Sequence, residues 1–385
     1  MTMDPSLFHR VAEKVYASER LDREDGLTLF GHPNLTELGL LADYVRRTKH
    51  PAPVVTYNVG RNINYTNVCW VRCDFCAFYR SPNGSGGYVL SPDEIFAKID
   101  ELVAFGGDEP KSCEILMQGG LNPKLRLDYY EDLLGTIRDR FPMVQLHCLS
   151  ATEILYIAHL SRLSIEETVA RLHAAGLDSI PGAGAEILSD EVRDIIGFRK
   201  DRTEEWLEVH RVAHRLGMRT TATMMYGHVE TMEQRLEHLN LLRELQDETG
   251  GFTAFITWNF QPDETALGGD ESRWQGFKAT GFDHLRTVAV SRVFLDNIDN
   301  LQASWVTQGP KVAQVSLRYG VNDFGSTMME ENVVSAAGTN HTNEMNLETM
   351  ERLIREAGYE PRRRNTRYER VRTRPRLPPR QAAAS

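Results

Sequence analysis

The fold is decided by one stretch. It runs Val54-Val55-Thr56-Tyr57-Asn58-Val59-Gly60-Arg61-Asn62-Ile63-Asn64-Tyr65 and continues Thr66-Asn67-Val68-Cys69-Trp70-Val71-Arg72-Cys73-Asp74-Phe75-Cys76-Ala77-Phe78-Tyr79-Arg80. Its first half, Val54 to Tyr65, reads as the first of a series of short apolar strands. Its second half sets Cys69, Cys73 and Cys76 in the spacing C-x₃-C-x₂-C, with Phe75 immediately before the third cysteine. Three soft thiolates suit iron–sulfur or zinc binding. A structural zinc site takes four protein ligands, usually as two separated pairs, and a ferredoxin-type cubane takes four cysteines. No second CxxC pair or His-x₃₋₅-His stands beside this one. On a four-iron cluster, three ligands leave one iron open to an exogenous ligand, which marks a substrate or cofactor site and not a pure electron relay.

Outward from this stretch, apolar strands alternate with helical periodicity. The candidate strands are Val54 to Tyr65, Glu114 to Met117, Val144 to Leu149, Asp178 to Ile180, Arg219 to Tyr226, Phe252 to Phe260, Asn300 to Ser304 and Gly320 to Asp323. Ser91-Pro92-Asp93-Glu94 and Ser164-Ile165-Glu166-Glu167 read as capping boxes that start helices. After Thr203, residues Trp206, Val209, Ala213 and Leu216 share one helical face, and Gly217 supplies the stop. Eight strands alternating with helices imply parallel pairing, right-handed crossovers and closure as a (β/α)₈ barrel, an open doubly wound sheet being the alternative. The cysteines follow the first strand, at the end of such a barrel where βα loops build active sites. Leu35, Leu38, Leu41 and Val45 form an amphipathic stripe ahead of the barrel. The expected organisation is an N-terminal helical extension over 1–50, the barrel over 51–360 and an Arg/Pro-rich tail over 361–385.

The composition fits an enzyme-sized globule. Of 385 residues, 41% are hydrophobic and 25% charged, near ordinary globular averages. No apolar run approaches the roughly 20 residues of a membrane span, and Met1 to Arg10 does not read as a secretory signal. The expectation is a cytoplasmic protein with no membrane partner. The net charge is −10, but nine arginines against one glutamate from Pro361 to Ser385 put +8 on the tail and leave −18 on the body. Nucleic acid is therefore an unfavoured partner. A Cys-rich metal module with a basic nucleic-acid-binding arm is the non-enzyme alternative.

The C-x₃-C-x₂-C motif with its aromatic residue resembles the signature of the radical S-adenosylmethionine superfamily. The resemblance implies that Cys69, Cys73 and Cys76 hold a [4Fe–4S] cluster whose open iron is chelated by S-adenosylmethionine, which is cleaved to a 5′-deoxyadenosyl radical. A closer likeness covers about residues 50 to 360. It rests on Asn62 to Arg80, Met117-Gln118-Gly119-Gly120-Leu121-Asn122-Pro123, Ser179-Ile180-Pro181-Gly182-Ala183-Gly184-Ala185-Glu186, Met224-Met225-Tyr226-Gly227-His228-Val229-Glu230-Thr231 and Asn322 to Asn332. These look like the cyclic dehypoxanthinyl futalosine synthases of menaquinone biosynthesis. The likeness implies cyclisation of dehypoxanthine futalosine, through hydrogen abstraction from the ribose C4′ and addition to the ring. An electron donor such as flavodoxin or ferredoxin is implied as partner. Aminodeoxyfutalosine synthase, which couples carbon to carbon, is the runner-up.

Several residues are expected at such a site. Gly119 and Gly120 end the second strand, where glycine lets a backbone carbonyl approach the methionine amino group. Glu186 and Arg193, seven apart, are implied contacts to the cosubstrate ribose and carboxylate. His228 follows strand five and is the expected proton acceptor, since histidine titrates nearest neutral pH; Glu230 and Asp323 stand behind it. Asn322 and Asp323 are candidates for a ribose-like hydroxyl. Cys113 and Cys148 read as buried structural thiols, and His210 and His214 as surface histidines.

Overall fold

The computed structural model describes residues 5–107, 109–274, 276, 278–338 and 345–372. Ten strands form one all-parallel sheet: β1 (Val54–Asn58), β2 (Gly60–Ile63), β3 (Cys113–Met117), β4 (Val144–Cys148), β5 (Ser179–Ile180), β6 (Arg219–Tyr226), β7 (Phe252–Asn259), β8 (Asn300–Gln302), β9 (Asp323–Ser326) and β10 (Glu360–Arg363). β1 and β2 are two halves of the expected first strand, broken at Val59. β1 pairs with β9 and β2 with β3. The chain after β9 stays alongside β2: Asn62 N–H donates to the Met329 carbonyl at 2.9 Å, and Met329 N–H donates to the Gly60 carbonyl at 3.2 Å. One run of chain thus joins both edges of the sheet, and the barrel closes through eight strand positions, as the alternation predicts.

Capping boxes start the helices at Ser91/Glu94 and Ser164/Glu167 as read, and also at Ser150/Glu153, Thr231/Gln234 and Thr280/Asp283. The helix at Thr203–Arg215 buries Trp206, Val209 and Ala213, and Gly217 follows it with φ +81°. Of three helices flanking the barrel, α1 (Pro5–Tyr16) packs on α2 (Arg23–Gly31) and α3 (Leu35–Lys49), which pack in turn on the helices at Met232–Thr249 and Gly281–Phe294. The fit is close: a Cβ on Gly26 would stand 2.6 Å from a Leu236 methyl.

Two expectations need correction. The eighth barrel strand is Asp323–Ser326, not Gly320–Asp323, so Asn322 and Asp323 lie at its beginning. They face the end of the barrel opposite the cysteines. The Arg-rich segment is no free tail up to residue 372. β10 pairs with β1 from Val54↔Glu360 to Tyr57↔Arg363, and the chain then turns in to stop the barrel's lower end. There Arg364 makes a bidentate pair with Asp323, Nε to Oδ2 at 2.6 Å and Nη2 to Oδ1 at 2.8 Å, over the Tyr368 ring. Thr366 donates its hydroxyl to Glu114 and its N–H to the Gln145 side chain, both at 2.7 Å. The remaining tail, 373–385, lies outside the described residues.

Candidate active site

Barrel interiors are normally filled by branched apolar side chains. Here Asn62, Glu114, Gln118, His147, Thr221, Thr223 and Gln302 line the interior instead, and a cavity of about 350 Å³ remains. It runs from Cys76 and Ala77, past Glu186 and Trp258, down to Arg364 and Tyr368. That size and mixed lining suit a small-molecule site.

The cysteines occupy the loop after β2, above this cavity. The loop is pinned on several sides: Cys69 N–H donates to Arg80 O at 2.9 Å, Trp70 N–H to Leu121 O at 3.2 Å, and Asp74 N–H to Ile196 O at 2.9 Å. All three thiols are free and partly shielded. Burial pushes the Cys73 and Cys76 thiols up, so ligation must draw protons from them. Among the described residues no three His, Cys, Asp or Glu side chains are grouped as for a single metal ion. A four-iron cluster takes cysteine thiolates as ligands. Three reduced thiols on a fixed loop at a cavity mouth fit such a cluster.

Two glycines permit the arrangement sterically. A Cβ on Gly120 would lie 2.4 Å from the Val68 carbonyl oxygen and 2.9 Å from Cys69 Cβ, and a Cβ on Gly197 would lie 3.0 Å from Cys73 Sγ. Gly119 packs on the Tyr65 ring, and its N–H donates to Glu153 Oε1 at 3.0 Å. Glu153 also accepts from Tyr65 OH at 2.8 Å and caps the next helix. This buried carboxylate ties the glycine turn to Tyr65, at the start of the loop that carries the cysteines.

Glu186 lines the cavity at φ +42°, a conformation costing about 1–3 kcal/mol for a non-glycine residue. Met225 N–H holds its carbonyl at 2.9 Å, and Lys200 Nζ stands 3.1 Å from its Oε1. Burial lowers the Lys200 ammonium's pKa, but Glu186 and Asp201 outweigh that and hold it charged. Arg193 is not at the cavity. It is spent on Asp201 and on the Ala185 carbonyl at 2.8 Å, so it braces the turn before Glu186 and offers nothing to a cosubstrate carboxylate.

His228 is a second correction. Its Nε2–H donates to the Met225 carbonyl at 3.0 Å and its Nδ1 accepts the Val229 N–H at 2.8 Å. Both nitrogens are occupied, the side chain is fully buried and the residue is absent from the cavity lining. Burial holds its pKa below the usual range despite Glu230, which is itself paired to Arg235. His228 therefore shapes the turn after β6. Asn322 accepts from Arg292 at 2.7 Å and Asp323 is paired with Arg364, so neither is free for a ribose. His210 and His214 are not on the surface: both bond the Thr220 hydroxyl, His210 at 3.0 Å and His214 at 2.7 Å. Cys113 and Cys148 are buried, as expected. Sequence reading passed over His147, Lys200 and Glu153. The Ser150/Glu153 capping box was the legible signal for the last; His147 acquires meaning only across strands, and Lys200 only from the loop that carries Glu186.

The model of the radical SAM superfamily matches residues 63–242, and that of the CofH/MqnC C-terminal region matches 249–377. The chain is 47% identical to a cyclic dehypoxanthine futalosine synthase of Halalkalibacterium halodurans, over 94% of this chain and 95% of that one. It is 42% identical to an aminodeoxyfutalosine synthase of Thermus thermophilus, over 96% and 97%. Among solved structures it superposes on methylornithine synthase with a TM-score of 0.70 at 16% identity, covering 91% of this chain and 97% of that one.

Proposed function

Because the chain belongs to the radical SAM superfamily, in the branch with the CofH/MqnC C-terminal region, we propose that it cyclises dehypoxanthine futalosine to cyclic dehypoxanthine futalosine. The observation that carries this reading is the 47% identity, end to end, with a protein of that name. The family uses a [4Fe–4S] cluster and S-adenosylmethionine, which together supply a 5′-deoxyadenosyl radical when bound.

The chain's own residues bind, orient and shield. Cys69, Cys73 and Cys76 hold the cluster, and Gly119 and Gly120 let the backbone come close beside it. Glu186 faces the cavity below the cysteines and takes a cosubstrate hydroxyl or amino group. Asn62 contributes a buried Oδ1 that lacks a partner in the protein, a ready acceptor for a substrate hydroxyl. Trp258, Phe260 and Trp305 offer flat apolar walls to an aromatic ring. The plug at Arg364 to Tyr368 closes the cavity's far end, so reactive species formed inside are kept from water. An electron donor of the flavodoxin or ferredoxin kind and a cytoplasmic setting complete the reading; no helix among the described residues is long and apolar enough to cross a membrane.

Anaerobic incubation with S-adenosylmethionine, a reductant and dehypoxanthine futalosine, followed by mass spectrometry, tests the reading. The expected product is two hydrogens lighter than the substrate, with one 5′-deoxyadenosine formed per turnover. In the same assay run instead with an aryl enolpyruvyl ether, a product in which the adenosyl group is joined to the substrate would establish the carbon–carbon coupling of the aminodeoxyfutalosine synthases.

A further inference from the structure

Ring closure takes two hydrogens from one substrate. The first leaves the ribose carbon as a hydrogen atom and ends in 5′-deoxyadenosine. The second leaves the attacked ring carbon as a proton, while one electron passes to an iron–sulfur acceptor and the ring regains its aromaticity. The proton needs a base inside a cavity that excludes bulk water, and His228 is walled off from that cavity.

We propose that His147 is this base, its Nε2 accepting the ring proton. This rests on the cyclase reading above. His147 lies on β4, one residue before the strand ends, and lines the cavity between Leu116 on β3 and Thr221 on β6. Its tautomer follows from its neighbours. The Ser179 hydroxyl gives its one proton to the Arg219 carbonyl at 2.6 Å, so it can only accept from His147, and the 2.8 Å contact is Nδ1–H donating to Ser179 Oγ. Nε2 then carries the ring's lone pair and is its acceptor. Thr221 Oγ1 accepts the Gly182 N–H at 3.0 Å and so keeps its own proton, which it donates to His147 Nε2 across a long 3.4 Å contact. A ring oriented through Nδ1–H, whose Nε2 lone pair is held only by a long hydroxyl contact that a substrate proton can displace, is the arrangement general-base catalysis requires. The groups that bear on its charge are Glu114 on β3, which favours the imidazolium, and Arg364 of the plug, which opposes it; burial opposes it more strongly and keeps the ring neutral. No other histidine lines the cavity among the described residues.

The test is single-turnover kinetics of the cluster-loaded enzyme and of His147→Gln, following 5′-deoxyadenosine and cyclised product together. Loss of a general base costs about 10² to 10⁴ in the step it serves. In His147→Gln, 5′-deoxyadenosine should continue to form while product falls by at least 10²-fold. The wild-type product rate should fall as pH drops through an acid limb that the variant lacks. Ser179→Ala, which frees the ring to turn, should lower product formation less, and Ser179→Thr should restore it. Nitrogen-15 NMR of histidine in the cluster-free protein should show His147 as the neutral Nδ1–H tautomer at pH 7. An Nε2–H tautomer, an unchanged product rate, or parallel loss of both products at intact iron content would overturn the assignment. If the wild-type enzyme makes no product two hydrogens lighter, the cyclase reading itself falls, and the role of His147 with it.

Discussion

Replacing Arg364 by Ala tests whether the C-terminal segment is part of the barrel. Arg364 and Asp323 are almost wholly buried, with side-chain exposures of 5% and 0%, and are joined by two short charge-assisted bonds. The guanidinium also lies 4.0 Å above the Tyr368 ring and donates to the Asn365 carbonyl at 3.1 Å. Removing it leaves the Asp323 carboxylate with Thr56 and the Gly325 N–H but no countercharge. Breaking one side of a buried pair costs about 3–5 kcal/mol, a large part of the roughly 5–15 kcal/mol that holds an ordinary domain. A solvated arginine would change stability by no more than about 0.5 kcal/mol. Urea unfolding of the cluster-free protein, followed by tryptophan fluorescence, separates the two. Asp323→Asn in the same background should recover part of the loss, because it removes the stranded charge. A midpoint within about 1 kcal/mol of wild type for Arg364→Ala would refute the plug as a structural element.

Three further outcomes follow from the same geometry. Gly120→Ala should cost about 1–3 kcal/mol and lower the iron bound per chain after anaerobic reconstitution, because its methyl would press on the Val68 carbonyl of the cysteine loop; normal iron content would contradict this. Alanine at Cys69, Cys73 or Cys76 should abolish 5′-deoxyadenosine formation while alanine at buried Cys113 or Cys148 retains it, and a fully active Cys73→Ala protein would sink the cluster assignment. Burial holds His214, His238 and His284 each down to about 3 in the folded chain, against about 6.5 unfolded, so the unfolded state binds more protons. Their neutral forms cost nothing above pH 6.5, and stability should then fall with pH from about 6.5 towards 3, by up to roughly 1.4 kcal/mol per unit for each. Denaturant midpoints that stay flat from pH 6.5 to 5 would contradict the burial.

The cysteine triplet, its position after the first strand and the eightfold alternation of strand and helix were legible in the sequence, because they depend on local spacing and periodicity. Cys69, Cys73 and Cys76 occupy one loop whatever the rest of the chain does, and a capping box such as Ser91/Glu94 closes within four residues. The tertiary structure decided what those local signals cannot express. A histidine after a strand looks the same whether it faces the cavity or the backbone. His228 turned out to bond Met225 and Val229, while His147 acquired its tautomer from Ser179 and a long Nε2 contact from Thr221, residues 32 and 74 positions away. Arg364 read as one more charge in a basic run until β10 carried it 41 residues back to Asp323 beneath the barrel. In each case the deciding partner is distant in sequence, and the chemistry of a side chain is set by the partner the fold brings to it.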